Sequence, residues 1–236
     1  MSGGIFSYAL LAALATALLV AAFTDFRRRE IDNWLNAAIV LAAPLWWLAM
    51  GFGWMDIGFQ IGLAGVTFVF ACILFVTGQM GGGDVKLLTA LALWFTPLSF
   101  VQLIVLMAVL GGGASMAMAA FNMKRVPGEM LRDGLAALVA LAWVWGACAI
   151  VYSLATHHPL IDEGTVTAIA ALLPNARLLA AAALAMVLIF AFGFFHIVKR
   201  QKSRLPVPYG IAIAAAGLWV LGEQTLSAAR LAAQSG

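Results

Sequence analysis

Long apolar blocks separated by short polar stretches make up most of the chain. Most blocks are about 20 residues long, the length at which an α-helix crosses the hydrocarbon core of a bilayer. The pattern predicts membrane segments at residues 5–23, 35–53, 57–77, 85–96, 98–121, 135–155, 178–198 and 208–222, with the fourth one short. We therefore expect an all-α, polytopic transmembrane helix bundle of about eight membrane helices.

The composition also indicates a membrane protein. Of the 236 residues, 64% are hydrophobic and 10% are charged, whereas about 25% of a soluble domain is charged. The first apolar block runs into Thr24 and Asp25 rather than into a small-residue cleavage site, so we interpret it as a retained helix. The two cysteines, Cys72 and Cys148, form no C-x-x-C pair and are predicted to be core residues.

The basic residues are distributed unevenly between the two sets of loops. If the N-terminus is outside, only Arg177 and Arg230 lie outside, and the cytoplasmic side holds the other eleven: Arg27, Arg28, Arg29, Lys86, Lys124, Arg125, Arg132, Lys199, Arg200, Lys202 and Arg204. This is the asymmetry of the positive-inside rule, and it predicts that both termini are outside. It also explains the net charge of +3, so we expect the lipid bilayer as a partner and no nucleic acid.

Two aspartates stand at the ends of predicted helices. Asp25 closes the first helix, and Asp84 follows a triglycine and opens the fourth, on the same side of the membrane. Charge at membrane depth is expensive, which makes such residues functional candidates. A carboxylate pair suits peptide hydrolysis without a metal, because one member can take a proton from water while the other donates one. Glycines before Asp84 would let a substrate backbone come close.

Spacing alone leaves other interpretations open. Asp25 could be a solvated residue paired with the arginines at 27–29, and Asp84 could only cap its helix. Asp32 is predicted to be the N-cap of the second helix. Lys86 could position a substrate carbonyl or lie at the membrane boundary with its ammonium group in water. The helix dipole favours Asp84, which opens a helix, as the carboxylate and Asp25, which closes one, as the proton carrier, although the arginines at 27–29 would favour an ionised Asp25 if they turned towards it.

Three segments occur in the order DFRRREIDN at 25–33, GGGDVKLL at 81–88 and RLPVPYGIA at 204–212. This set resembles the type IV prepilin peptidase family, which consists of polytopic GxGD-type membrane aspartic proteases. The resemblance covers about 1–125 and 199–222, and it implies that Asp25 and Asp84 are the catalytic pair, with no cofactor. The same segments supply the substrate-binding or loop-shaping candidates: Gly81, Gly82, Gly83, Lys86, Pro208, Tyr209 and Gly210.

The chain is most similar to the short CpaA/TadV-like form of Tad/Flp pilus systems, because it lacks the cytoplasmic cysteine pairs of the larger bifunctional members. It departs from that form at about 126–198, where we predict a two-helix insertion in a single peptidase domain, 1–236. The resemblance implies that the protein removes basic leader peptides from prepilins or pseudopilins at the cytoplasmic face of the bacterial inner membrane. The pilus-assembly machinery is a further expected partner.

Three other functions are weighed against this one. A presenilin-like protease would carry a Tyr before Asp25, where this chain has Thr24, and a Pro-Ala-Leu segment in place of Pro208-Tyr209-Gly210. A proton- or ion-coupled transporter would place its aspartates near the midplane of the membrane, whereas here both are at helix ends. An assembly platform that keeps only the fold would differ in having no cleavage activity.

Reporter fusions test the predicted orientation. A reporter that is active only outside the cytoplasm should be active after Gly53 and inactive after Gly81, because these positions flank the third predicted segment. The reverse pattern would put Asp25 and Asp84 on the outer face and would contradict the leader-peptidase function.

Overall fold

Nine helices make up most of the residues that the computed structural model describes, which are 4–124, 127–156, 158–172, 175–202 and 209–234. Within these ranges the β-structure is limited to one isolated antiparallel bridge between Met123 and Gln201. The predicted all-α fold is therefore confirmed. In chain order the helices are α1 (Ile5–Arg28), α2 (Asn33–Met50), α3 (Trp54–Val76), α4 (Gly82–Ala92), α5 (Pro97–Phe121), α6 (Met130–Thr156), α7 (Glu163–Leu172), α8 (Ala176–Lys199) and α9 (Tyr209–Gln234).

Seven helices in the described ranges are long and apolar enough to cross a membrane, namely α1, α2, α3, α5, α6, α8 and α9. They coincide with seven of the predicted segments, which confirms a polytopic bundle. The other two are short, since α4 has 11 residues and α7 has 10. The sequence pattern does not predict α7, which lies in the polar stretch between α6 and α8.

Helix α4 rises only about 16 Å, and a turn at residues 93–96 extends it. Backbone carbonyls of this turn accept hydrogen bonds from the side chains of Trp46, Trp47 and Gln60, at distances of 2.8 to 3.1 Å. These three donors lie in the second half of α2 and the first third of α3. Helix α4 and its turn therefore run most of the length of α2, so the fourth predicted segment is a short buried helix with an ordered extension.

The chain folds into two compact units. The first unit comprises Met1–Ala108 and Pro208–Gly236, and four of its helices pack in a closed order: α1 against α2, α2 against α4, α4 against α9, and α9 against α1. We call these four helices the quartet. Helix α3 packs against α4. The interior of the quartet is apolar and includes Leu18 of α1, Leu87 of α4 and Ile213 of α9.

The second unit, Val109–Val207, contains the stretch predicted as a two-helix insertion. Its long helices α6 and α8 pack together, with Asp133 Oδ1 3.0 Å from His196 Nε2. The ends of the stretch meet, because the Lys124 N–H donates to the Arg200 carbonyl at 2.8 Å. The stretch thus holds the two predicted helices and the short α7, and its two ends lie side by side.

This closure gives a direct test of the prediction that residues 126–198 are an insertion. Joining Lys124 directly to Arg200 removes α6, α7 and α8 without stretching the chain, because the two backbones are already hydrogen-bonded. We expect the shortened protein to insert into the membrane and to keep part of the cleavage activity expected from the sequence. Immunoblots of membranes and an assay of leader removal measure both. Complete loss of cleavage at a normal membrane level would show that the stretch is required for catalysis.

Candidate active site

The two aspartates singled out from the sequence lie together inside one end of the quartet. Asp25 is in the last turn of α1, and Asp84 is the third residue of α4. Only 5% of Asp25 and 7% of Asp84 is exposed. The two carboxyl groups lie close enough to interact electrostatically. The structure therefore brings the predicted pair together from two helices that lie on opposite sides of the quartet.

The start of α4 holds Asp84. Gly81 is the N-cap residue, and its N–H donates to Asp84 Oδ2 at 3.2 Å. Asp56 makes the same contact with the Gly53 N–H at the start of α3, at 2.9 Å, but that pair is exposed. Asp84 thus does cap its helix, and its burial distinguishes it from an ordinary capping residue.

The start of α9 holds Asp25. The Ile211 N–H donates to Asp25 Oδ2 at 3.2 Å. The first N–H groups of a helix have no partner within the helix, and the helix dipole there favours negative charge. The prediction that Asp25 is the proton carrier starts from the C-terminus of its own helix, α1, and does not include the N-terminus of α9. Because both aspartates meet a helix N-terminus, this argument no longer separates their roles.

One apolar side chain, Ile31, joins the three motif segments. A Cβ at Gly83 would lie 3.1 Å from Ile31 Cβ, and a Cβ at Gly210 would lie 2.8 Å from Ile31 Cδ1. The Cβ at Gly210 would also lie 2.8 Å from Asp25 Oδ2. These two glycines therefore permit close packing around Ile31 and Asp25. In this structure the space beside Gly83 and Gly210 is filled by the protein itself, and the approach of a substrate backbone to the triglycine before Asp84 stays a prediction.

The remaining loop-shaping candidates differ in their proximity to the pair. A Cβ at Gly82 would lie 3.5 Å from the ring of Phe75, which is an ordinary van der Waals distance. Lys86 is exposed, and its Nζ donates to Asn33 Oδ1 at 2.7 Å. Tyr209 opens α9 and is partly buried. Pro208, which belongs to the same predicted group, lies outside the described residues.

The predicted N-cap role of Asp32 is confirmed by its position before α2. Its backbone carbonyl accepts from the N–H groups of Leu35 and Asn36, whereas its side chain makes no capping hydrogen bond. Among the described residues no group of three or more His, Cys, Asp or Glu side chains could hold a metal ion.

This arrangement can support acid–base chemistry. Burial and mutual repulsion disfavour two negative charges in one apolar site and favour a state in which the two carboxyl groups share one proton. The pair then contains a base and an acid at the same time, as hydrolysis of an amide bond requires. The backbone N–H groups of Gly81 and Ile211 fix one oxygen of each carboxyl group.

Residues 12–116 match the model of the type IV leader peptidase family. The matched region contains Asp25, Ile31 and Asp84 and ends within α5, so it excludes α9 and Gly210. Searches of curated proteins and of solved structures found no match.

The close contact at Gly210 predicts that this residue tolerates no side chain. Gly210→Ala would place a methyl group 2.8 Å from both Asp25 Oδ2 and Ile31 Cδ1. We expect the displaced carboxyl group to slow leader removal about 100-fold, because a shift of about 1 Å has such an effect in many active sites. The assay compares cleavage rates at equal membrane levels.

Gly222→Ala is the matched control, because Gly222 is in the same helix and a Cβ there meets nothing within 4 Å. A fully active Gly210→Ala variant would show that the position of Asp25 in this structure is not the one used in catalysis.

Proposed function

We propose that this chain, whose residues 12–116 match the model of the type IV leader peptidase family, is an aspartic endopeptidase that removes basic leader peptides from type IV prepilins of the Flp/Tad kind. The family match supports a peptidase, and the seven long apolar helices of the described ranges support a multi-pass membrane protein. One observation carries the finer proposal: Asp25 and Asp84, from different helices, are buried together at the end of membrane-spanning helices.

In the proposed mechanism the ionised carboxylate takes a proton from water as the water oxygen attacks the carbonyl carbon of the scissile bond. The protonated carboxyl group of the pair donates its proton to the carbonyl oxygen. The tetrahedral intermediate then collapses: one of its two hydroxyl groups returns a proton to the pair as the C–N bond breaks, and the amine leaves with a proton from the pair. The products are the leader and the mature N-terminus, and the pair again holds one proton.

The depth of the pair suits a substrate that is itself anchored in the membrane. A prepilin-like precursor has a polar leader followed by an apolar helix, so its scissile bond lies at the boundary between water and hydrocarbon. Asp25 lies three residues before the end of α1, at a comparable boundary. Lys86 and the arginines at 27–29 are exposed and lie at the same end of the quartet as the aspartate pair. These basic residues support the placement of the pair on the cytoplasmic side of the bacterial inner membrane.

The transporter alternative has less support. Coupling ions in transporters bind near the midplane, commonly at broken helices, where both faces of the membrane gain access in turn. Asp25 and Asp84 both lie in the end turns of their helices, and hydrogen bonds to Gly81 and Ile211 hold them there. This placement favours chemistry at one membrane face.

The proposal predicts that Asp25→Asn and Asp84→Asn each reduce cleavage by at least about 100-fold, because an amide cannot transfer the required proton. Both variants should insert normally, since asparagine has nearly the same shape and keeps an oxygen acceptor. The assay is co-expression with a candidate precursor, in which leader removal is followed as a mobility shift on a gel.

Two matched controls separate catalysis from helix capping. Asp56→Asn changes the capping contact that most resembles that of Asp84, and Asp32→Asn changes an N-cap residue close in sequence to Asp25. Both should cleave like the unmodified chain. Robust cleavage by Asp25→Asn or Asp84→Asn would disprove the proposed pair.

A further inference from the structure

Asn36 differs from the other buried polar residues of the described chain. Six of the seven have a hydrogen-bond partner. Asn36 is only 4% exposed, and neither its Oδ1 nor its Nδ2 has a partner within the described ranges. The seven are Ser7, Asp25, Asn36, Gln60, Thr67, Asp84 and Asp133.

An unpaired amide inside a protein weakens the fold. A buried donor or acceptor that has lost water and gained no partner retains its full desolvation cost, and Asn36 has one of each. A leucine has the same number of side-chain heavy atoms and the same branching without this cost. The unpaired amide therefore destabilises the conformation described here. Its presence is explained if it gains a hydrogen-bond partner in another state of the protein.

The position of Asn36 indicates what that partner is. Helix α2 packs against both α1 and α4, the two helices that carry the aspartates. Asn36 is the fourth residue of α2, Asp84 is the third of α4, and Asp25 is the fourth from the end of α1. At 1.5 Å per residue, the three lie within about two helical turns of the same end of the quartet. Side chains on a helix lean towards its N-terminus, which for α2 is the end that holds the pair.

A membrane-anchored substrate brings a matching chemical group. To expose its scissile bond, the apolar helix of the precursor must unwind near the site, and this frees backbone N–H and C=O groups. At membrane depth, such groups have to be paired within protein. The side-chain amide of asparagine offers one acceptor and a donor NH₂, which is the complement of a peptide group.

We propose that Asn36 binds the backbone of the unwound substrate beside the scissile bond. This inference rests on the proposed peptidase function and adds a substrate-binding residue to it. Asp25, Asp84 and Asn36 are all closed off from solvent in this structure, so a peptide gains access only when the helices at this end move apart. Pairing of the Asn36 amide with the substrate then offsets part of the cost of that opening.

The test measures binding apart from cleavage. The full-length Asp84→Asn chain, which on the proposed function binds a precursor without cutting it, is compared with the same chain carrying Asn36→Leu. The probe is a fluorescent precursor with a basic leader and its apolar helix, titrated in lipid nanodiscs. We expect Asn36→Leu to raise Kd about tenfold, as the loss of two hydrogen bonds would. Its Tm should be equal or higher, because an apolar side chain replaces an unpaired amide.

Ile39→Leu in the same background is the control, because Ile39 is a buried apolar residue one turn further along α2. It should bind the precursor with the Kd of the parent chain. If leucine prevents insertion, Asn36→Ala, which removes the amide without adding volume, carries the same expectation for affinity.

Two results would overturn the inference alone. An unchanged Kd in Asn36→Leu would show that the amide does not contact the substrate, and a raised Kd with a lower Tm would show that its role is structural. A chain with both aspartates that neither binds nor cuts the precursor would refute the proposed function, and this inference with it.

Discussion

Two carboxyl groups inside a bundle of membrane helices have to be held by donors, and this requirement shapes the first unit of the protein. The donors come from the backbone, through the Gly81 N–H at the start of α4 and the Ile211 N–H at the start of α9. Helix N-termini supply such groups because their first N–H groups have no partner within the helix. For this reason α4 and α9 both have to begin beside the aspartates.

Close packing of these helix starts requires residues without side chains. Gly83 and Gly210 both pack against Ile31, and Gly210 also approaches Asp25. The tight contacts exclude water, which strengthens the interaction between the two carboxyl groups. The same closure leaves the pair inaccessible to a peptide, so the proposed function requires this end of the quartet to open. The unpaired amide of Asn36 destabilises the closed state and so favours such an opening.

Much of this architecture could be predicted from the sequence, because a bilayer imposes a length and a composition on every helix that crosses it. Both aspartates were also identifiable, since charged residues are rare in such blocks. The extent of the fourth segment was harder to predict: residues 93–96 are as apolar as a helix but form a turn that Trp46, Trp47 and Gln60 hold in place. The periodicity of apolar residues in the sequence contains no signal for these side-chain contacts.

The contact between Asp25 and Ile211 shows a second limit, because it joins residues 186 positions apart. Only the packing of α9 against α1 creates it, and a single sequence contains no signal for that packing. The family match ends within α5 and so covers both carboxyl groups without the donor that holds Asp25. Helix α9 therefore completes a site whose acidic groups come from the first 84 residues.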